Sequence, residues 1–168
     1  MPAPHAIMSQ LDSLLSIVPS ANSIQNQAVS EWIKACKKLM LSTSTLRSAT
    51  DWTFVAQNDV DQTGDNLFTA VGTFYAVLVS TNSADAEEDF FALTDAGSNT
   101  FDGTAALDNT DFLVFNLDAA ATDGTEEYHG VIWENGKALA TGLTVAADGQ
   151  DGTDPALDDI RCWVLYRS

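Results

Sequence analysis

After position 50 the sequence stops repeating every three to four residues and breaks into short alternating runs. That change of period constrains the fold more than any other feature. Eight stretches rich in β-branched and aromatic residues follow one another, at 52–57, 67–71, 74–81, 90–94, 112–117, 128–134, 138–145 and 160–166. Asp, Asn, Gly, Thr or Ser bounds each stretch, as turns require. Asp outnumbers Glu 18 to 6, which fits Asx-type turns better than exposed helix faces. No helix-patterned segment separates the stretches, so parallel βαβ units are excluded. A mainly β chain with an antiparallel β-sandwich or jelly-roll-like body is expected. Asn135-Gly136 predicts a type I′ hairpin, because both central residues of that turn need positive φ. In the last stretch Ile160, Cys162, Val164 and Tyr166 alternate with Arg161, Trp163, Leu165 and Arg167. Both sets are partly apolar, which predicts a strand covered on both faces, with a neighbouring subunit as a candidate cover.

The first fifty residues follow another rule. Pro2 and Pro4 discourage structure at the start, and Ile7, Leu11, Leu14, Leu15 and Val18 then recur at helical spacing over 6–18. Pro19 to Ser23 breaks this helix. A second is expected over 24–40, with Ile24, Ala28, Trp32, Cys36 and Leu39 near every fourth position, Ser23 as N-cap, and Lys37 and Lys38 in the last turns. Ser42-Thr43-Ser44-Thr45 reads as a linker. The organisation is therefore an N-terminal helical arm, 1–48, ahead of an acidic β-sandwich domain, 49–168.

Charge divides at the same place. Residues 1–50 carry Lys34, Lys37, Lys38 and Arg47 against Asp12 and Glu31, a balance of +2; the remainder carries Lys137, Arg161 and Arg167 against 22 acids, a balance of −19. Such a body repels nucleic acid and anionic lipid, because phosphate binding needs clustered cations. No nucleic-acid partner and no membrane partner is expected, and no stretch is long enough for a transmembrane helix. The start lacks a basic n-region, and Asp12 interrupts its apolar run, so it is not read as a secretory signal. Synthesis in a cytoplasm, with Cys36 and Cys162 as buried thiols, is the expectation.

No catalytic residue emerges. His5 lies in the start and His129 in a strand beside Glu127 and Tyr128, with no serine in a G-x-S-x-G turn to serve as nucleophile. The many carboxylates remove any signal from a glycosidase-like pair. Asp59 to Asp65 copies the front half of an EF-hand loop, but its twelfth position is Ala70 where a bidentate Glu is needed, so an EF-hand is rejected. That turn and the one over 148–154 are read as solvated, with loose calcium binding as the alternative. No metal ligand set and no cofactor site is assigned. Trp32, Trp52, Trp133 and Trp163 suit core or subunit packing better than a sugar-stacking platform.

Gly136-Lys137-Ala138-Leu139-Ala140-Thr141-Gly142-Leu143-Thr144-Val145, the Asp/Gly/Thr-rich loop after it, and the closing Val164-Leu165-Tyr166-Arg167 resemble a type of tailed-bacteriophage virion protein that decorates or cements capsids. Phe74 to Val79 followed by Phe91 to Ala96 is similar to the same layout. The resemblance covers about half the chain and carries no catalytic residue; the helical arm departs from it. It implies a non-enzymatic virion structural protein on the capsid surface, a homo-oligomer with the trimer favoured, bridging copies of a major capsid protein or another virion protein. Under that reading Trp32, Ile33, Lys34, Lys37, Lys38, Leu39 and Trp163 are the partner-contact candidates. The alternative is a carbohydrate- or host-surface-binding module of a head fibre or tail accessory, which requires exposed aromatic side chains.

Overall fold

The computed structural model describes residues 4–18, 23–44, 52–60, 64–81, 89–96, 111–117, 127–149 and 160–167. Two helices, α1 (Pro4–Ser13) and α2 (Ser23–Ser44), precede eight strands: β1 (Trp52–Gln57), β2 (Asp65–Phe68), β3 (Gly72–Thr81), β4 (Asp89–Thr94), β5 (Asp111–Leu117), β6 (Glu127–Leu139), β7 (Leu143–Gly149) and β8 (Ile160–Arg167). Every strand pairing is antiparallel. One sheet has the order β1-β8-β3-β6 and the other β2-β7-β4-β5. Strands that follow one another in the chain thus mostly alternate between sheets, which is the double Greek key of a jelly roll.

Alternation along each strand explains the layering. Phe74, Val77 and Val79 of β3, Ile160, Cys162, Val164 and Tyr166 of β8, and Phe91, Leu93, Leu143 and Val145 of the second sheet form one buried core between the sheets. Phe68 stacks on Tyr166 across it, with ring centroids 4.1 Å apart. The opposite face of the first sheet carries Trp52, Tyr75, Ala76, Leu78, Tyr128, Trp163 and Leu165, which form a second core with the helices. Ile7, Leu11, Leu14 and Val18 enter it from the first helical segment, as their spacing predicts. The cover that the two-sided apolar pattern of β8 requires is therefore the chain's own helical pair, and not a neighbouring subunit. Arm and body share one hydrophobic layer.

The second helix differs from its expected form in two ways. Its buried face is Val29, Trp32, Ile33, Cys36, Leu39 and Met40, whereas Ile24 is 78% exposed and Ala28 is also exposed. Steps of three and four from Val29 describe a cleaner apolar stripe than steps of four from Ile24. The helix also runs through Ser42–Ser44. Ser42 Oγ donates to the Leu39 carbonyl at 2.9 Å, so the hydroxyl is satisfied within the helix and does not end it. Lys37 and Lys38 consequently lie more than a turn from the C-terminal end.

Strand boundaries follow the sequence reading closely except in three places, one of them the run expected at 138–145, which divides between the end of β6 and the start of β7. The run expected at 67–71 is β2, Asp65–Phe68. The hairpin expected at Asn135-Gly136 is absent, because β6 continues through it. Opposite it, Ala76 pairs with Ile132 and Phe74 with Lys137, so the residues 133–136 face Tyr75 alone. Gly136 does take positive φ, at 72°, but uses it to absorb a bulge. The chain instead passes between sheets at Ala140–Gly142. There Asp95 accepts backbone N–H bonds from Ala140 (2.8 Å), Thr141 (2.9 Å) and Gly142 (3.4 Å).

Candidate functional site

The seven residues singled out as partner contacts separate into two groups. Trp32, Ile33 and Leu39 lie in the core between helices and sheet, and Trp163 meets them there from β8. A side chain of Trp32 that would have anchored a partner is 5% exposed and donates its indole N–H to the Val131 carbonyl at 3.4 Å. It fits because residue 130 is glycine: a Cβ there would lie 2.6 Å from Trp32 Cδ1. Tyr128 stacks on Trp163, centroids 6.4 Å apart, and the Tyr128 amide donates to Gln25 Oε1 at 3.2 Å. The apolar candidates therefore brace α2 against the sheet.

The lysines form the outward group. Lys34 pairs with Glu31 at 2.8 Å one turn back, and Lys37 pairs with Asp12 of α1, tying the helices together. Lys38 is exposed and borders a half-open cleft of about 330 Å³ between α2 and β6. Leu39 and Ile132 supply apolar lining to this cleft, and Ser42, Glu134 and Asn135 the polar part. Leu41, 60% exposed, adds an apolar group to the same helical turn.

The thiols, His129 and the cleft hydroxyl each have a described environment. Burial pushes both Cys36 and Cys162 thiols far above their ordinary range; for Cys162 the nearby Asp65 carboxylate adds to this and a backbone hydrogen bond from Gln57 opposes it. Thiolates are the nucleophilic form, so these side chains are inert while the fold holds. His129 Nε2 lies 3.4 Å from Glu127 Oε2, and His129 does not line the cleft. Ser42, the hydroxyl in the cleft, is engaged with a backbone carbonyl. Burial raises the carboxyl of Asp95, but the three backbone N–H groups and nearby Lys137 outweigh it and hold the group below the usual carboxylate range. Asp95, Gln25 and Gly130 are key positioning residues that periodicity could not have found, because each acts on a partner more than 40 residues away.

Among the described residues, no three of His, Cys, Asp and Glu converge as a metal site. The EF-hand-like turn is described only at Asp59, Val60, Gly64 and Asp65, where Asp65 Oδ2 accepts from Gln57 Nε2 at 2.9 Å. Residues 61–63, and 150–154 of the second Asp-rich turn, lie outside the described residues. Of the four indoles, Trp32, Trp52 and Trp163 are buried; Trp133 is half-buried, edge-on to Phe74 at 5.9 Å. No described helix is long and apolar enough to cross a membrane.

No protein-family model matches the chain, and no curated protein matches it. Solved structures give weak likenesses. The tobacco streak virus coat protein aligns at TM-score 0.34 and 11% identity, covering 73% of this chain and 90% of that one. The tomato aspermy virus structure aligns at TM-score 0.38 and 12% identity, covering 80% and 94%. An exo-inulinase from Aspergillus awamori aligns at TM-score 0.33 and 16% identity, covering 74% of this chain and 30% of its own. At these scores the likenesses carry no functional weight, and they extend to an enzyme as readily as to coat proteins.

Proposed function

We propose that this chain is a non-enzymatic virion structural protein that decorates and stabilises a phage capsid by bridging capsid subunits, as a homo-oligomer. The observation that carries the reading is a jelly roll whose first sheet is buried on both faces by its own chain, in a sequence of net charge −17. Jelly rolls serve viral capsid, lectin and cupin proteins alike, so the choice among them rests on side chains. A metal centre of imidazole ligands needs clustered histidines, and the chain has only His5 and His129. A lectin-type platform needs accessible rings, and three of the four indoles are inside. The sequence resemblance to capsid-decorating proteins favours the remaining choice.

In this reading Lys34, Lys37 and Lys38 present the arm's charge to the capsid, with Leu41 beside them. Trp32, Ile33, Leu39 and Trp163 hold the presenting helix in place. The acidic excess of the body keeps particles mutually repulsive. Many weak contacts acting together would supply the stabilisation. The test is to locate the chain on purified virions by immunogold labelling and to add the protein to particles lacking it. Labelled capsids and a raised particle disruption temperature are expected. Absence from virions together with no binding to particles would refute the proposal.

A further inference from the structure

The two edges of the first sheet are built differently. Helix α2 reaches the backbone of edge strand β6 through Gln25, which accepts the Tyr128 N–H, and Trp32, which donates to the Val131 carbonyl. That strand also carries Glu127, His129, Glu134 and Lys137, and a bulge. Covering helices, charges and bulges are the devices that stop an edge from recruiting another chain. The opposite edge, β1, has neither charge nor bulge; α1 packs on one face of it, through the core that holds Trp52, and no helix side chain is bonded to its backbone among the described residues. Trp52–Gln57 contains no charge and no proline, in a chain with 24 acidic residues. Its pairing with β8 runs from Trp52↔Arg167 to Gln57↔Cys162 without a register shift, whereas β3 breaks register against both of its neighbours. Among the described residues no strand pairs with its outer side. Phe54 and Val55 are half-buried and Ala56 is exposed.

We propose that β1 is a self-pairing edge, through which a second copy of this chain adds antiparallel about a twofold axis and joins two four-stranded sheets into one of eight. A twofold perpendicular to the sheet keeps the faces in register, so opposed residues have the same parity. With the axis at Val55, that side chain faces its own copy, Phe54 faces the partner's Ala56, and Thr53 faces the partner's Gln57. Every opposed pair is uncharged, and the small Ala56 leaves room for the Phe54 ring. That is the condition under which two chains of net charge −17 can approach, since like charges placed opposite each other destabilise a pair. The twofold also sets the helical layers of both copies on one side of the joined sheet. Main-chain hydrogen bonds supply the attraction, as in other strand additions.

This inference deepens the homo-oligomeric part of the proposed function and rests on that reading only for its purpose. It is tested on the full chain alone, so failure to bind capsids would leave it standing, and failure of pairing would leave capsid attachment open. Light scattering across a concentration series should show mass rising from 18.0 kDa to twice that value. Ala56→Asp, at an exposed position, should weaken dimerisation about tenfold or more without lowering the unfolding temperature of the monomer, while Ala56→Ser should remain dimeric. Amide exchange at 53–57 should slow as concentration rises. A monomer at all concentrations overturns the proposal, whether its β1 amides exchange freely or are protected throughout, the latter meaning that another part of the same chain covers the edge. A trimer, or a dimer indifferent to Ala56→Asp, overturns it as well.

Discussion

The close approach of Trp32 to Gly130 makes a quantitative test of the helix-on-sheet layer. Removing the indole by Trp32→Ala deletes a 5%-exposed side chain, and should cost about 3–5 kcal/mol in lost transfer energy and residual cavity. At roughly 2–4 °C per kcal/mol for a domain of this size, the midpoint should fall by about 6–20 °C. Gly130→Ala attacks the same contact from the other side. Its new Cβ would sit 2.6 Å from Cδ1, 3.2 Å from Cγ and 3.3 Å from Nε1 of Trp32, so the ring must move and its bond to Val131 stretch. Overpacking of this kind costs about 1–3 kcal/mol. In the double variant the methyl points into the space the indole has left, and its cost should vanish. The less flexible unfolded chain could even return about 0.4–1 kcal/mol. The cycle should therefore show a coupling of about 1–3 kcal/mol, measured by urea unfolding followed by far-UV circular dichroism. Costs that add within about 0.5 kcal/mol would mean that Trp32 does not pack on Gly130 in solution, and the helical cover would have to be redrawn.

Deleting residues 1–48 should uncover Trp52, Tyr75, Leu78, Trp163 and Leu165 together, giving a chain that binds a hydrophobic dye and self-associates; a monodisperse truncation with unchanged melting would refute the shared core. Asp95→Ala should destabilise by about 1 kcal/mol at neutral pH, a figure discounted for the solvent exposure of the site. Because the folded-state pKa of Asp95 is lowered, its contribution is present above the unfolded value near 3.9 and is lost as pH falls through the folded value. The gap between variant and parent, read from denaturant midpoints at pH 7 and below pH 3, should close on acidification; a constant gap would count against the charge-assisted turn. Cys36 and Cys162 should react with a thiol reagent only on unfolding, and rapid labelling of the native protein would contradict their burial.

Local periodicity revealed most of the fold. Alternation at Ile160–Arg167 identified a strand with two apolar faces, and the spacing of Ile7, Leu11, Leu14 and Val18 identified the face that α1 buries. What covers the second face of β8 was not legible, because it depends on a meeting of segments more than 100 positions apart, for which no local pattern exists. The Asn135-Gly136 dipeptide shows the limit sharply. Its chemistry specifies positive φ, which Gly136 adopts, but a bulge and a hairpin use that conformation equally well, and only the partner strand decides between them. The contact candidates are large or cationic residues, and burial divides them, since an indole on an amphipathic helix serves its own core before any partner's.

The position of β8 has a consequence for how the protein is made. This strand is the last of the described strands, yet it sits between β1, which has no other described partner, and β3, which otherwise pairs with β6 alone. During synthesis the first sheet stays divided until Ile160–Arg167 has left the ribosome, leaving two half-built edges in the meantime. Folding must wait for the late arrival of its central piece and close long loops to seat it, a slow topology that favours company from chaperones.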